Sequence, residues 1–268
     1  MVASSRFLCL EFLGDAACRT LHGQCTQDLL TLEPGQARLV AFCNPKGRIL
    51  GAGRMLADEN RMLLVTTADQ AGALMQHLHP ALTLARVQVQ ISERPVVLVH
   101  ATDHSAAVGS VHTEGARITV AEFGSTEWII GDSEAEHAVS ADLARLRAGF
   151  AMIHAKAAGH LIPQQAHYQM LGGVNFQKGC YTGQEIIARL EHLGEAKKVL
   201  KVLSHPQPLE PGDTVEVSEQ PLWVCDAAHD DTGTVALVLA PADLTSEQLT
   251  NVPFEIIRQV AGERPLKR

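Results

Sequence analysis

An α+β fold built on antiparallel sheets is predicted by three features of the 268-residue sequence. Short β-rich runs follow one another with only turn residues between them, helical stretches are too few to alternate with strands as βαβ units, and from Lys198 onward the pattern is strands alone. In chain order, residues 7–13 read as an apolar strand, and Asp15 is placed to cap a helix running to Gly23. A second helix is expected over 26–32, stopped by Pro34-Gly35. Strands follow at 37–42, 48–56 and 61–67, the first two joined by the turn Asn44-Pro45-Lys46-Gly47. Helical spacing over 69–78 is ended by Pro80. Runs at 87–91, 96–100, 117–122 and 127–130 supply further strands, and 140–150 reads as a helix with Leu143 and Leu146 on its apolar side. Runs at 199–203, 214–217, 222–225, 233–239 and 254–260, spaced by turns such as Glu210-Pro211-Gly212-Asp213, predict a small C-terminal β-barrel or sandwich.

With 46% hydrophobic residues the chain can bury a real core, and its length suits one large and one smaller domain. The formal charge of -8 repels polyanions, so direct nucleic-acid binding is not expected. The six cysteines, Cys9, Cys18, Cys25, Cys43, Cys180 and Cys225, contain no C-x-x-C pair, which argues against a zinc ribbon or a self-ligated cluster. Residues 1–13 lack the segments of a secretory signal, and no apolar run approaches the roughly 20 residues of a membrane helix. A cytoplasmic location with reduced thiols and no membrane partner is expected.

The densest chemical signal is residues 171–185, LGGVNFQKGCYTGQE, whose four glycines imply turns or close approach to a ligand. Thr182 and Glu185 have the spacing of a capping box, which predicts a helix beginning just after Cys180. That start would put the Cys180 thiol near the positive end of a helix and two residues from the Lys178 ammonium, and both favour the thiolate. A small buried filler is the other reading of a single cytosolic cysteine. The lysine, the capping spacing and the glycines together favour a reactive thiol.

Lys178-Gly179-Cys180-Tyr181-Thr182-Gly183-Gln184-Glu185 resembles the K-G-C-Y-T-G-Q-E signature of the YgfZ-type family, which shares one folate-binding fold with the aminomethyltransferase of the glycine cleavage system, GcvT. The resemblance extends through Ile162-Pro163-Gln164, Leu171-Gly172-Gly173 and Ala188-Arg189. Gly23-Gln24-Cys25-Thr26-Gln27-Asp28 resembles the family's G-Q-x-T-x-D, and Pro45-Lys46-Gly47-Arg48 its P-K-G-R.

This resemblance implies a GcvT-like folate-binding domain over residues 1–195, with 44–95 readable as an insert, and a C-terminal β-barrel over 196–268. It implies tetrahydrofolate or a derivative in a central cavity. It also implies a role in assembly or repair of iron-sulfur clusters in selected enzymes, including a radical enzyme that thiolates tRNA. Iron-sulfur enzymes or cluster-assembly proteins are then the expected partners. Cys180, Lys178 and Tyr181 would form the chemical centre, with Gly179, Gly183, Gln184, Glu185 and Arg189 framing the ligand. Glu127 falls where the aminomethyltransferases carry a pterin-binding glutamate, and a solvated charge at the start of a strand is its other reading. Gln24 and Asp28, one helical turn apart, could share a face toward the cavity, although capping and solvation also explain them.

Two departures bear on the reaction. The aminomethyltransferases carry an acidic residue just after the glycine matching Gly47, whereas 49–53 here reads ILGAG, without a carboxylate. Their arginine before the helix over 140–149 aligns with Ala141, leaving Arg145 as the candidate for the folate tail, or no holder at all. Three classes therefore stand: a folate-linked iron-sulfur maintenance protein, a tetrahydrofolate-dependent one-carbon transferase, and a non-catalytic folate-binding scaffold. The missing carboxylate argues against the second and the thiol segment against the third. Among the thirteen histidines, His77 with His79 and His100 with His104 lack further ligands, so no metal site is expected. The basic run 264–268 reads as a solvated tail.

Overall fold

Alternation along the strands of the first sheet sorts their side chains into two cores. In the computed structural model, which describes residues 6–132, 134–217, 220–244 and the main chain of 255–258, β1 (Phe7–Leu13) sends Phe7 and Cys9 to one core and Leu10 and Phe12 to the other. In β2 (Ala37–Cys43), Leu39, Ala41 and Cys43 face the first core while Val40 and Phe42 face the second. With β3 (Ile49–Asp58), β4 (Arg61–Thr67) and the edge strand β5 (Gln88–Ile91) they form an antiparallel sheet of order β2-β3-β4-β1-β5. The second-core face is covered by α1 (Ala17–His22) and α2 (Ala68–Leu84), through Leu21, Leu74, Leu78 and Leu82.

The first core is shared by all three sheets. The second sheet, β6 (Val96–His100), β7 (Val111–Glu114), β8 (Arg117–Glu122) and β9 (Thr126–Ile130), runs β6-β9-β8-β7 and contributes Leu98, Val120 and Trp128. α3 (Val139–Arg147) adds Leu143 and Leu146. The third sheet comprises β10 (Lys198–His205), β11 (Thr214–Val217), β12 (Gln220–Asp230), β13 (Gly233–Pro241) and β14 (Glu255–Arg258), in the order β11-β12-β13-β10-β14. One of its faces joins the first core through Leu200 and Leu237, and the other builds a third core around Leu203, Val224 and Val238. A bulge between Val224 and Asp226 resets the alternation of β12, so that Cys225 and Asp226 both lie toward the body.

Four expectations change, and two more fall partly or wholly outside the described residues. Among the described residues the third sheet is open, with β11 and β14 as its edges, rather than a closed barrel. Of the expected strand over 254–260 only 255–258 falls within the described residues, and the 264–268 tail lies outside them. Residues 26–32 form no helix: Thr26 bonds across to β2, and the Asp28 carboxylate accepts from the Leu30 N–H at 2.9 Å, an Asx turn that competes with helix. Pro80 does not end α2, because Leu78 and Leu82 on either side of it are both buried in the second core, and that packing outweighs a penalty of about 3 kcal/mol. Asp15 does not cap α1, whose N-cap is Ala16 with no side-chain bond. Among the described residues no helix is long and apolar enough to cross a membrane.

Candidate functional site

Three separated sequence segments meet at the signature. Residues 171–183 carry no regular structure, and they are held by the 22–28 segment, which is stitched to them by its own polar groups. Thr26 Oγ1 donates to Gly173 O at 2.6 Å, Gln27 Nε2 to Gly172 O at 2.6 Å, and the Asn175 N–H to Thr26 O at 2.9 Å. From the other side comes the 44–47 turn. Gly183, at φ +86°, crosses it so closely that a Cβ there would lie 2.5 Å from Asn44 O, and a Cβ on Gly47 would lie 3.2 Å from Cβ of Ile186. Gly183 is required by close backbone approach as well as by its positive φ, and Gly47 by its positive φ and the crowding of the Ile186 side chain. Gly179 is not: its φ is ordinary and a Cβ would meet nothing within 4 Å.

The helix after the signature, α4 (Gln184–Leu193), starts one residue later than a Thr182 N-cap would place it. Its N-cap is Gly183, without a side-chain bond, so Thr182 and Glu185 form no capping box. Instead Gln184 Oε1 accepts the Tyr181 N–H at 3.0 Å, and Gln164 Nε2 braces the helix at Ile187 O, 2.7 Å away. Cys180 therefore sits on the loop before the helix and not at its first turn. Glu185 and Arg189 are exposed on α4.

Lys178 does not serve the thiol in the expected way. Its ammonium donates to Cys25 O at 2.7 Å and to His22 O, and it lies 4.9 Å over the Tyr181 ring. Burial lowers its pKa. The lysine is a strut between the signature loop and the 22–28 segment. Tyr181 is buried beside it, and burial pushes its phenol up, so it stays protonated. Gln24 is half-buried in the turn after α1, and Asp28 pairs with His22 at 3.2 Å, so without a helix the two share no helical face.

The six thiols divide sharply. Cys9, Cys25, Cys43 and Cys225 are buried, and burial pushes Cys25 up to about 11 and Cys9 to about 12, with Cys43 and Cys225 also raised well above the ordinary thiol value. Cys18 is half-buried and also raised by burial. Cys180 is the exposed one. Sealed, protonated thiols are poor nucleophiles and ligands, which leaves Cys180 as the group able to meet a partner.

The other expected ligand residues lie elsewhere. Glu127 is 9% exposed on β9, opposite Val99 of β6 and Ala121 of β8. Trp128 takes the core face, so Glu127 and Ile129 share the other one. Among the described residues no hydrogen bond or ion pair holds its carboxylate or joins it to the signature loop. Arg145, expected at a folate tail, is fully buried, with Asp226 at 2.8 Å, Asp142 at 3.1 Å and Phe150 O at 2.6 Å taking its terminal nitrogens, so it is not placed to meet a ligand. The junction of the sheets, where the resemblance implies a central cavity, is packed by Phe123, Phe150 and Tyr168 around Arg54. That guanidinium holds Glu122 at 2.5 and 2.7 Å.

No family model matches the chain. It is 28% identical over 223 residues to the tRNA-modifying protein YgfZ of Hamiltonella defensa, covering 71% of this chain and 66% of that one. The chain is thus similar to YgfZ proteins over most of its length. YgfZ of Colwellia psychrerythraea is 26% identical over 81% of this chain and 75% of its own length, and YgfZ of Escherichia coli strain SE11 is 27% identical over 76% and 72%. These YgfZ alignments thus leave a quarter to a third of the relatives' own length unmatched. The glycine cleavage system aminomethyltransferase T of Bartonella henselae superposes with a TM-score of 0.68 over 88% of this chain and 76% of that structure, at 18% identity, which establishes the shared fold. Sequence reasoning had the motif segments but missed Thr26 and Gln27 as the residues that tie them together, although both lie inside the quoted G-Q-x-T-x-D match.

Proposed function

We propose that this chain is a folate-binding protein that supports assembly or repair of iron-sulfur clusters in selected enzymes, and through them tRNA modification, with Cys180 as its working thiol. In this reading residues 1–195 form the folate-binding unit, residues 196–268 a C-terminal unit, and the protein works in the cytoplasm. The observation that carries the proposal is the singling out of Cys180: one exposed thiol among six, on a loop fixed by three converging motif segments. On meeting a cluster with an open iron position, the thiol would release its proton to solvent and bind iron as thiolate. Lys178 fixes the loop by its two carbonyl contacts, and Gln184 fixes the main chain at Tyr181.

For folate, the residues present fit at Glu127. Glu127, a largely buried residue whose carboxylate has no partner among the described residues, suits the aminopyrimidine edge of a pterin, and Ile129, Val97 and Val99 on the same sheet face supply apolar neighbours. Bound there, the folate would supply a one-carbon or electron-rich group. One-carbon transfer by the chain itself finds no support, since residues 49–53 offer no carboxylate. Calorimetric titration of tetrahydrofolate under reducing conditions tests the folate part. Saturable binding is expected, weakened about tenfold or more in Glu127→Ala, where a buried carboxylate's hydrogen bonds are lost, and retained in Cys180→Ser. No binding in any form would remove folate from the function, and equal binding in Glu127→Ala would move its site.

A further inference from the structure

α1, the 26–32 turn and the β3–β4 hairpin border an open cavity of about 340 Å³ that neither Cys180 nor Glu127 lines. That volume is within the range of small-molecule sites, roughly 300–1,000 Å³. One side of it is apolar: Leu29, Leu32, Met62 and the thiol face of Cys18, whose Sγ donates to Leu29 O at 3.2 Å. The other side carries two exposed carboxylates, Asp15 and Glu59, held by no hydrogen bond or ion pair among the described residues. The one cationic side chain in the lining, Arg61, is engaged away from them, with Asp58 at 2.9 Å and Glu11 at 3.5 Å. Glu59 occupies the hairpin turn at φ +52°, a conformation that glycine or asparagine adopts more readily, and so brings a carboxylate to the rim.

We propose that this cavity binds a small organic cation, an amine or amidine on an apolar body, with the body against Leu29, Leu32 and Met62 and the charge toward Asp15 and Glu59. An anion of the same shape meets two unpaired carboxylates and the field of a chain with formal charge -8. The site stands independently of the folate and thiol reading. It also shares the 22–32 segment with the signature loop, since Lys178 holds Cys25 O on one side of that segment and Leu29 and Leu32 line the cavity on the other.

Benzamidine and benzoate, one ring with opposite charges, test it on the full chain by saturation-transfer NMR and by peptide-resolved N-ethylmaleimide labelling. Benzamidine is expected to bind saturably and to slow labelling of Cys18 while the rate at Cys180 is unchanged; benzoate is expected to do neither. Asp15→Asn with Glu59→Gln should weaken benzamidine about three- to tenfold, the scale of exposed charge pairs. Asp15→Asn alone, outside the hairpin turn, should show part of that loss if the double variant folds poorly. Equal binding of benzoate, benzamidine binding that leaves Cys18 labelling unchanged, affinity unaltered in the variants, or no benzamidine binding would each overturn the proposal.

Discussion

At the scale of single residues, Lys178 and Cys180 are two positions apart and do different work. Lys178 ties main chain to main chain, with the Cys25 carbonyl at 2.7 Å. Lys178→Met should therefore cost about 1–3 kcal/mol in urea denaturation by leaving buried carbonyls unpaired, with the labelling rate of Cys180 in the folded protein little changed. A slowed Cys180 with unchanged stability would instead make the lysine an activator of the thiol. Under native conditions N-ethylmaleimide should modify Cys180 first and leave Cys9, Cys25, Cys43 and Cys225 untouched until the protein unfolds. The residue types were legible in the sequence because the K-G-C-Y-T-G-Q-E segment is contiguous. The partners of Lys178 were not, because the Cys25 carbonyl is 153 positions away and main-chain acceptors leave no mark in a sequence.

At the scale of elements, local signals succeeded where tertiary contacts agreed with them. Strands β4, β6, β8 and β11 match their predicted bounds. Local signals failed where packing or a side-chain turn competed, as when α2 continued past Pro80 and the Asx turn at Asp28 replaced a helix. The start of α4 shows the same competition. Thr182 and Glu185 have the capping spacing, but close approach to the 44–47 turn requires a left-handed Gly183 there, and Gln184 takes the reciprocal bond to Tyr181. Gly183→Ala should thus destabilise by about 2 kcal/mol or more, from the left-handed φ and the approach to Asn44 O, whereas Thr182→Ala should stay within about 0.5 kcal/mol. Thermal melting of the two variants distinguishes them, and a large loss in Thr182→Ala would restore the capping box.

At the scale of the whole molecule, an ion cluster that was invisible in the sequence joins the sheets. Asp226 on β12 receives Arg145 of α3 at 2.8 Å, Arg6 before β1 at 3.0 Å, His154 at 3.2 Å and the Met152 N–H at 2.8 Å. Its members span positions 6 to 226, so no local pattern announces them. Burial by itself would lower the pKa of His154, but Asp226 holds it up to about 9. Its contribution to stability is therefore fully present below its ordinary value of 6.5 and is lost as pH rises through about 9. Asp69 shifts the other way: burial would raise it, but the hydrogen bonds of His154 and the Ala155 N–H bring it to about 2, so its contribution is fully present above 3.8 and is lost as pH falls from there through about 2. Urea midpoints should fall between pH 6.5 and about 9 in the native chain and fall less in His154→Gln. Asp226→Asn, which leaves buried cations unpaired, should cost about 3–5 kcal/mol. The proposed role of Cys180 is decided by tRNA thiolation in cells lacking their own copy of this protein, complemented with the native chain or with Cys180→Ser at equal abundance. The native chain should restore thiolation and Cys180→Ser should not; full restoration by Cys180→Ser would remove the thiol from the function.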